Sequence, residues 1–245
     1  MKKKFIYIVI TFVAMHLSSI IGVPLLFFAG VLLFDIEPTA MEMWAQGIWI
    51  VFSFIVGLFI ILLLLKKSEP YTKIEKEESM PLGPAIVWAI GGIFLAIFSQ
   101  LVAVNIETLI GINPGSENTQ VIMDMIQKMP MVLLVSSIIG PILEEIVFRK
   151  IIFGALYNRF PFWAAALISS LAFSIAHMEP VHLLLYAAMG FTFSFLYVKT
   201  KRIIVPIISH MMMNTIVAVN MLLLDPEMLN NGSKQIQGWI GGMFG

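Results

Sequence analysis

Long apolar runs, each ended by a short polar link, repeat along the whole chain. The stretch from Phe5 to Phe34 carries no Asp, Glu, Lys or Arg. Comparable runs follow at about 43–65, 82–105, 130–157, 161–178, 182–198 and 203–224. Crossing an apolar core of about 30 Å takes about 20 helical residues. The pattern therefore predicts an all-α, polytopic transmembrane bundle of about seven to eight membrane helices with no sheet. The first run is too long, and lacks the small-residue cleavage site, for a secretory signal; it reads as a membrane helix bent at Pro24.

The links divide the chain. Lys66 to Leu82 is the longest polar run and reads as a solvated cytoplasmic loop, so 1–81 forms a two-helix piece plus loop. Residues 82–224 form the helical core and 225–245 an interfacial tail. Asn113-Pro-Gly-Ser-Glu-Asn118 is rich in turn residues, and an amphipathic surface helix follows over 119–128. Lys and Arg cluster in alternate links: Lys2 to Lys4, Lys66, Lys67, Lys73, Lys76, Lys150, Arg159, Lys199, Lys201 and Arg202. Acids such as Glu37, Glu107, Glu117 and Glu179 occupy the other set. The positive-inside rule then expects a multi-pass cell-membrane protein with its N-terminus cytoplasmic and its C-terminus outside.

Composition agrees. Apolar residues make up 59% of the 245, against roughly 45–50% in soluble domains, and charged residues only 12%. The net charge of zero gives no reason to expect a nucleic-acid partner, and the absence of cysteine excludes disulfides and thiol chemistry.

Against that background a few polar residues stand out. Gly140-Pro-Ile-Leu-Glu-Glu-Ile-Val-Phe-Arg149 puts two adjacent carboxylates and an arginine inside an apolar run, where buried charge needs a partner or a task. Glu145 and Arg149 share a face at the spacing of an intrahelical ion pair. Glu144 projects about 100° away on an α-helix, so the two carboxylates are not expected to face one partner. The fifth run contains Phe173-Ser-Ile-Ala-His177, and the seventh His210-Met-Met-Met-Asn214, whose ends share one helical face. One carboxylate, two imidazoles and a carboxamide on three helices suit peptide-bond hydrolysis. A carboxylate near a neutral histidine can hold a water and take its proton, while a second histidine and an asparagine can donate to an oxyanion. The same side chains leave a second option open, with Glu144, His177 and His210 around a divalent metal such as zinc. Asn214 suits the oxyanion better than a metal, and the mechanism does not require a cofactor.

These motifs, in this order, resemble those of the CAAX-protease and bacteriocin-processing (CPBP, abortive-infection) family of intramembrane endopeptidases, over roughly residues 82–224. The resemblance implies that Glu144 and His177 activate the water and that His210 and Asn214 stabilise the oxyanion. Glu145, Arg149 and Phe173 would support them, and 82–224 would be the catalytic core. It also implies a peptide or protein substrate at the lipid bilayer. The prenyl-peptide substrate of the family name does not transfer on motifs, and the sequence does not speak to oligomeric state. The alternative is a non-catalytic scaffold or a small-molecule carrier using the same polar cavity.

Simpler readings stand beside these. Glu145 with Arg149 reads as a structural pair, and Phe173 as packing that orients His177. His16 reads as a packing residue, His182 as a residue of the outer rim, and Ser169, Ser170 and Ser209 as small residues between helices. Counting residues from the expected inner helix ends puts His210 nearer the cytoplasm than Glu144 or His177, with access from the cytoplasmic half.

Overall fold

A computed structural model describes residues 3–66 and 70–223. Among these, no strand occurs. The helices are α1 (Lys3–Leu17), α2 (Ser19–Phe34), α3 (Pro38–Lys66), the short α4 (Lys73–Lys76), α5 (Leu82–Leu109) and α6 (Glu117–Lys128). They continue with α7 (Met131–Tyr157), α8 (Phe162–Ala176), α9 (Leu183–Thr200, entered by a turn at Pro180–His182) and α10 (Ile204–Leu223). Among the described residues, six helical stretches are long and apolar enough to cross a membrane, with α1 and α2 counted as one, and α8 is a shorter apolar helix. All seven expected runs are therefore helical. The tail expected over 225–245 lies outside the described residues.

In a bilayer every backbone polar group must be satisfied within its own segment, which makes helices the solution for such runs. Large apolar side chains then point outward, as with Ile21, Leu32 and Leu33, each 75% exposed. That is the inverse of a soluble surface, and it fits solvation by lipid.

The chain forms two compact units, one of residues 1–69 with 121–143 and the other of 70–120 with 144–245. In the first, α3 packs on α1 and α2. The helical assignment is interrupted at Ser18, six residues before Pro24, which sits inside α2. Ser18 Oγ donates to the Met15 carbonyl at 2.6 Å and accepts from Trp49 Nε1 at 3.0 Å, so a side chain from α3 marks the break. His16 packs between Phe12 and Phe54, its Nδ1–H donating to the Phe12 carbonyl at 2.9 Å.

In the second unit, α9 packs against α5, α8 and α10, and α8 against the C-terminal half of α7. Small residues allow these approaches. A Cβ on Gly190 of α9 would lie 2.9 Å from the Ser170 Cα of α8, a backbone atom that cannot swing away. Ser209 donates across from α10 to the Ala89 carbonyl of α5 at 2.8 Å, and Ser169 donates to the Phe148 carbonyl of α7 at 2.8 Å.

The 70–81 link is less solvated than its composition suggests. Thr72 and Ile74 are buried. Thr72 and Glu75 form a reciprocal capping box at the start of α4. The Asn158 side chain accepts from the Lys73 N–H at 2.7 Å, and Lys150 of α7 pairs with Glu75. Burial alone would raise the Glu75 carboxyl, but the Lys150 ammonium and the Thr72 and Tyr71 N–H groups outweigh it and hold it below its ordinary value.

Two outcomes follow for purified protein. Gly190→Ala should destabilise by about 1–3 kcal/mol through overpacking, whereas Gly91→Ala, where a Cβ would meet nothing within 4 Å, should be neutral or slightly stabilising; thermal melts of both variants compare them directly. Because the folded Glu75 carboxyl is depressed, its contribution is present above the unfolded carboxylate range and is lost as pH falls through the folded value. Stability measured on acidification should therefore fall less steeply for Glu75→Gln than for the parent chain.

Candidate active site

The polar residues singled out in the apolar runs lie within the second unit, on α7, α8 and α10. Along α7 the hydrogen bonding changes register: Val135–Ile139 and Glu145–Phe153 are π-helical, and a short α-turn over Gly140–Glu144 separates them. Wide π-turns are rare and gather at functional sites because they re-aim side chains. Here the second one begins at Glu145 itself.

Glu145 is fully buried, as is Arg149 at 1% exposure. Their Oε2 and Nε atoms are 3.2 Å apart, an ion-pair contact rather than an aligned hydrogen bond. The guanidinium lies over the Phe173 ring at 4.1 Å and the Phe193 ring at 5.4 Å, so aromatic faces share in holding the charge. The expected Glu145–Arg149 pair is present, and it has a third member. His210 Nδ1 meets Glu145 Oε1 at 2.9 Å, and the opposite nitrogen, Nε2, lies 3.8 Å from Glu144 Oε2.

The expectation that Glu144 and Glu145 could not face one partner is thus overturned. An imidazole carries its two nitrogens on different edges, and it sits here with one edge toward each carboxylate. The three groups differ in exposure: the His210 residue is 1% exposed and Glu145 fully buried, while the Glu144 side chain is 21% exposed. Glu144 is the carboxylate of this set that solvent reaches. The His210 ring stacks on Phe193 at 4.7 Å and 21°, which fixes its plane.

His177 ends α8, where Met178 takes a left-handed φ of 57° and terminates the helix. Its Nδ1 is 2.8 Å from the Phe173 carbonyl, an oxygen that only accepts, so Nδ1 carries the proton and Nε2 is left as the basic nitrogen. Phe173 meets the ring at 4.4 Å in a tilted edge contact and meets His210 at 6.1 Å. His177 lies within electrostatic range of Glu144, His210 and Arg149. Asn214 follows His210 by one turn on α10 and is partly buried.

His210 lies six residues into α10 and Glu144 thirteen residues before the C-terminal end of α7. At that end of α7, Thr72 packs on Gly154 and Asn158 holds Lys73.

Sequence reasoning missed a second polar cluster in this unit. Glu107, expected in an outer loop, lies in the last turn of α5 and is 3% exposed. His182, expected at a rim, is 4% exposed, with Nδ1 2.9 Å from Glu107 Oε2 and Nε2 3.0 Å from the Gly115 carbonyl. Glu107 Oε1 also accepts the Leu185 N–H at 3.1 Å, near the start of α9. The local spacing of Glu107 and His182 carried no signal, because the two are 75 residues apart.

Among the described residues, no three His, Asp or Glu side chains are arranged to hold a metal ion. Glu144, His177 and His210 do not form such a set in this arrangement, although the Nδ1 contact with Glu145 leaves His210 Nε2, the nitrogen facing Glu144, available as a ligand.

Residues 126–216 match the family model described as type II CAAX prenyl endopeptidase Rce1-like, a segment that contains Glu144, Glu145, Arg149, Phe173, His177, His210 and Asn214. Among curated proteins, the chain is 49% identical to the "Putative membrane peptidase YdiL" of Bacillus subtilis (strain 168), covering 100% of both chains. It is 39% identical to the "Membrane-embedded CAAX protease MroQ" of Staphylococcus aureus (strain USA300), covering 77% of this chain and 78% of that one. No solved structure matches. With full-length identity of this order and the motif helices inside the matched segment, the chain belongs to the Rce1-like CAAX protease family of membrane peptidases.

Proposed function

We propose that the chain is an intramembrane endopeptidase that cleaves a membrane-associated peptide or protein with a water activated by Glu144 and His177. The observation that carries this reading is a solvent-reached carboxylate on α7 with His210 Nε2 of α10 3.8 Å from it, His210 sharing the Phe173 ring with His177 of α8.

The chemistry follows from the bonding. Glu144 accepts the proton of a water whose oxygen attacks the scissile carbonyl carbon. His177, with Nδ1–H committed to the Phe173 carbonyl, offers Nε2 as the second acceptor that orients that water. The carbonyl oxygen becomes an oxyanion as the C–O bond forms. His210, when it carries both protons, donates Nδ1–H to Glu145 and has Nε2–H left for that oxyanion. Asn214 supplies a carboxamide donor one turn away. Collapse of the tetrahedral intermediate breaks the C–N bond, and the proton held by Glu144 passes to the leaving amine. Glu145 and Arg149 hold His210 rather than touch substrate.

The same reading places the N-terminus in the cytoplasm, supported by the clustering of Lys and Arg in alternate links. The substrate is a peptide segment that reaches the site from the membrane. The prenylated substrate of the family description is not part of the proposal.

Processing of a substrate by protein in lipid nanodiscs tests the assignment. Glu144→Ala and His177→Ala should each lower kcat by about 10²–10⁴. His210→Ala and Asn214→Ala should lower it by about 10²–10³. Wild-type turnover by any one of these at equal folded concentration would remove that residue from the mechanism, and a partner bound equally by Glu144→Gln with no cleavage by the parent chain would favour a scaffold. Glu145→Gln should depress both kcat and the melting temperature, since it leaves Arg149 buried beside a neutral group, at about 3–5 kcal/mol.

A further inference from the structure

His177 is the C-cap residue of α8, so no following turn of that helix packs against its imidazole, and its ring torsion is intrinsically broad. One edge is defined by Nδ1–H donating to the Phe173 carbonyl at 2.8 Å and by the Phe173 ring at 4.4 Å. The face is defined by a residue that none of the motifs contains. Tyr186, one turn into α9, lies with its ring centroid 4.0 Å from that of His177 and the two planes at 27°, a stacked pair.

Tyr186 is itself clamped. Its hydroxyl donates to Glu179 Oε2 at 2.8 Å, and Ser116 Oγ donates to the same oxygen at 2.7 Å. The two hydroxyls lie 3.3 Å apart, and with both protons spent on the carboxylate this is the closing side of a triangle. Ser116 also accepts the Thr119 N–H at 3.0 Å at the start of α6. Glu179 lies two residues after His177 in the turn that leads to α9, and Ser174 of α8 donates to the Leu183 carbonyl at 2.8 Å across the same turn. The turn is thereby tied at both ends to the helix that supplies Tyr186.

We propose that Tyr186 is a positioning residue for His177: its ring, held by the Glu179–Ser116 clamp on its hydroxyl, fixes the imidazole plane that keeps Nδ1–H on the Phe173 carbonyl and presents Nε2 toward Glu144. The proposal rests on the reading of His177 as a water-orienting group, but its consequence for the ring can be measured without turnover. Loss of the stack frees the ring to flip. The Nδ1–H bond then breaks part of the time, and both tautomers become populated. Loss of the hydroxyl alone loosens the stack without removing it.

The test uses the full chain in lipid nanodiscs, labelled with ¹⁵N in the histidine rings, the His177 signals being identified by their disappearance in His177→Gln. The parent chain should show His177 as a single tautomer with protonated Nδ1 and bare Nε2. Tyr186→Leu should show mixed tautomers and, with a cleavable substrate, kcat lowered by about 10–100-fold at nearly unchanged KM, the cost of a misplaced group. Tyr186→Phe and Glu179→Gln keep the ring and should fall between Tyr186→Leu and the parent in both readouts. A single His177 tautomer in Tyr186→Leu overturns the proposal, whatever its activity. If Tyr186→Leu does not fold, an unchanged tautomer and parental kcat in both Tyr186→Phe and Glu179→Gln overturn it. Mixed tautomers in a chain whose parent cleaves nothing would uphold the positioning and sink only the peptidase reading.

Discussion

A carboxylate with no exposure to solvent, inside a bundle whose outer surface suits hydrocarbon, needs compensating protein groups, and Glu145 has two, an ion-pair contact and a hydrogen bond. One oxygen meets Arg149 on its own helix and the other meets His210 from α10. Removing either partner strands a buried charge, which is far more costly than the pair is favourable. That single arrangement fixes which His210 nitrogen faces Glu144, and through the Phe173 ring, shared by Arg149, His177 and His210, it links the three motif helices.

The backbone is adapted to the same end. An α-helix through Glu144 and Glu145 would aim the two side chains about 100° apart. The π-turn beginning at Glu145 and the two-edged imidazole together let both carboxylates address one ring. The rest of the second unit supplies close packing between helices, through Gly190 against Ser170 and through serines that bond across to carbonyls of neighbouring helices. Polar bonds between helices in a membrane are individually small, about 0.6 kcal/mol on average, so rigidity here comes from their number and from small residues at the contacts.

Much of this was legible in the sequence because lipid imposes simple rules. Seven apolar runs correspond to seven helical stretches among the described residues, and of the polar residues singled out in them Glu144, Glu145, Arg149 and His210 lie in contact. The i,i+4 relation of Glu145 and Arg149 was readable since it is local. Their contact with His210, 65 residues away, was not. The Glu107–His182 pair and the Tyr186 stack were hidden for the same reason, as each joins residues whose local spacing is uninformative. The 70–81 link misled in a different way. Its charges predicted a solvated loop, whereas Glu75 and Lys150 pair with each other and the apolar side of α4 is buried.

The central claim is that Glu144, His177, His210 and Asn214 act on one carbonyl group. An experimental structure of the Glu144→Gln variant with an uncleaved peptide substrate bound tests it most directly, through the position of the scissile bond. The account predicts the carbonyl carbon beside residue 144 and His177, with its oxygen directed at His210 and Asn214. A scissile carbonyl turned away from His210 and Asn214, or a peptide seated where these four side chains do not reach it, would contradict it.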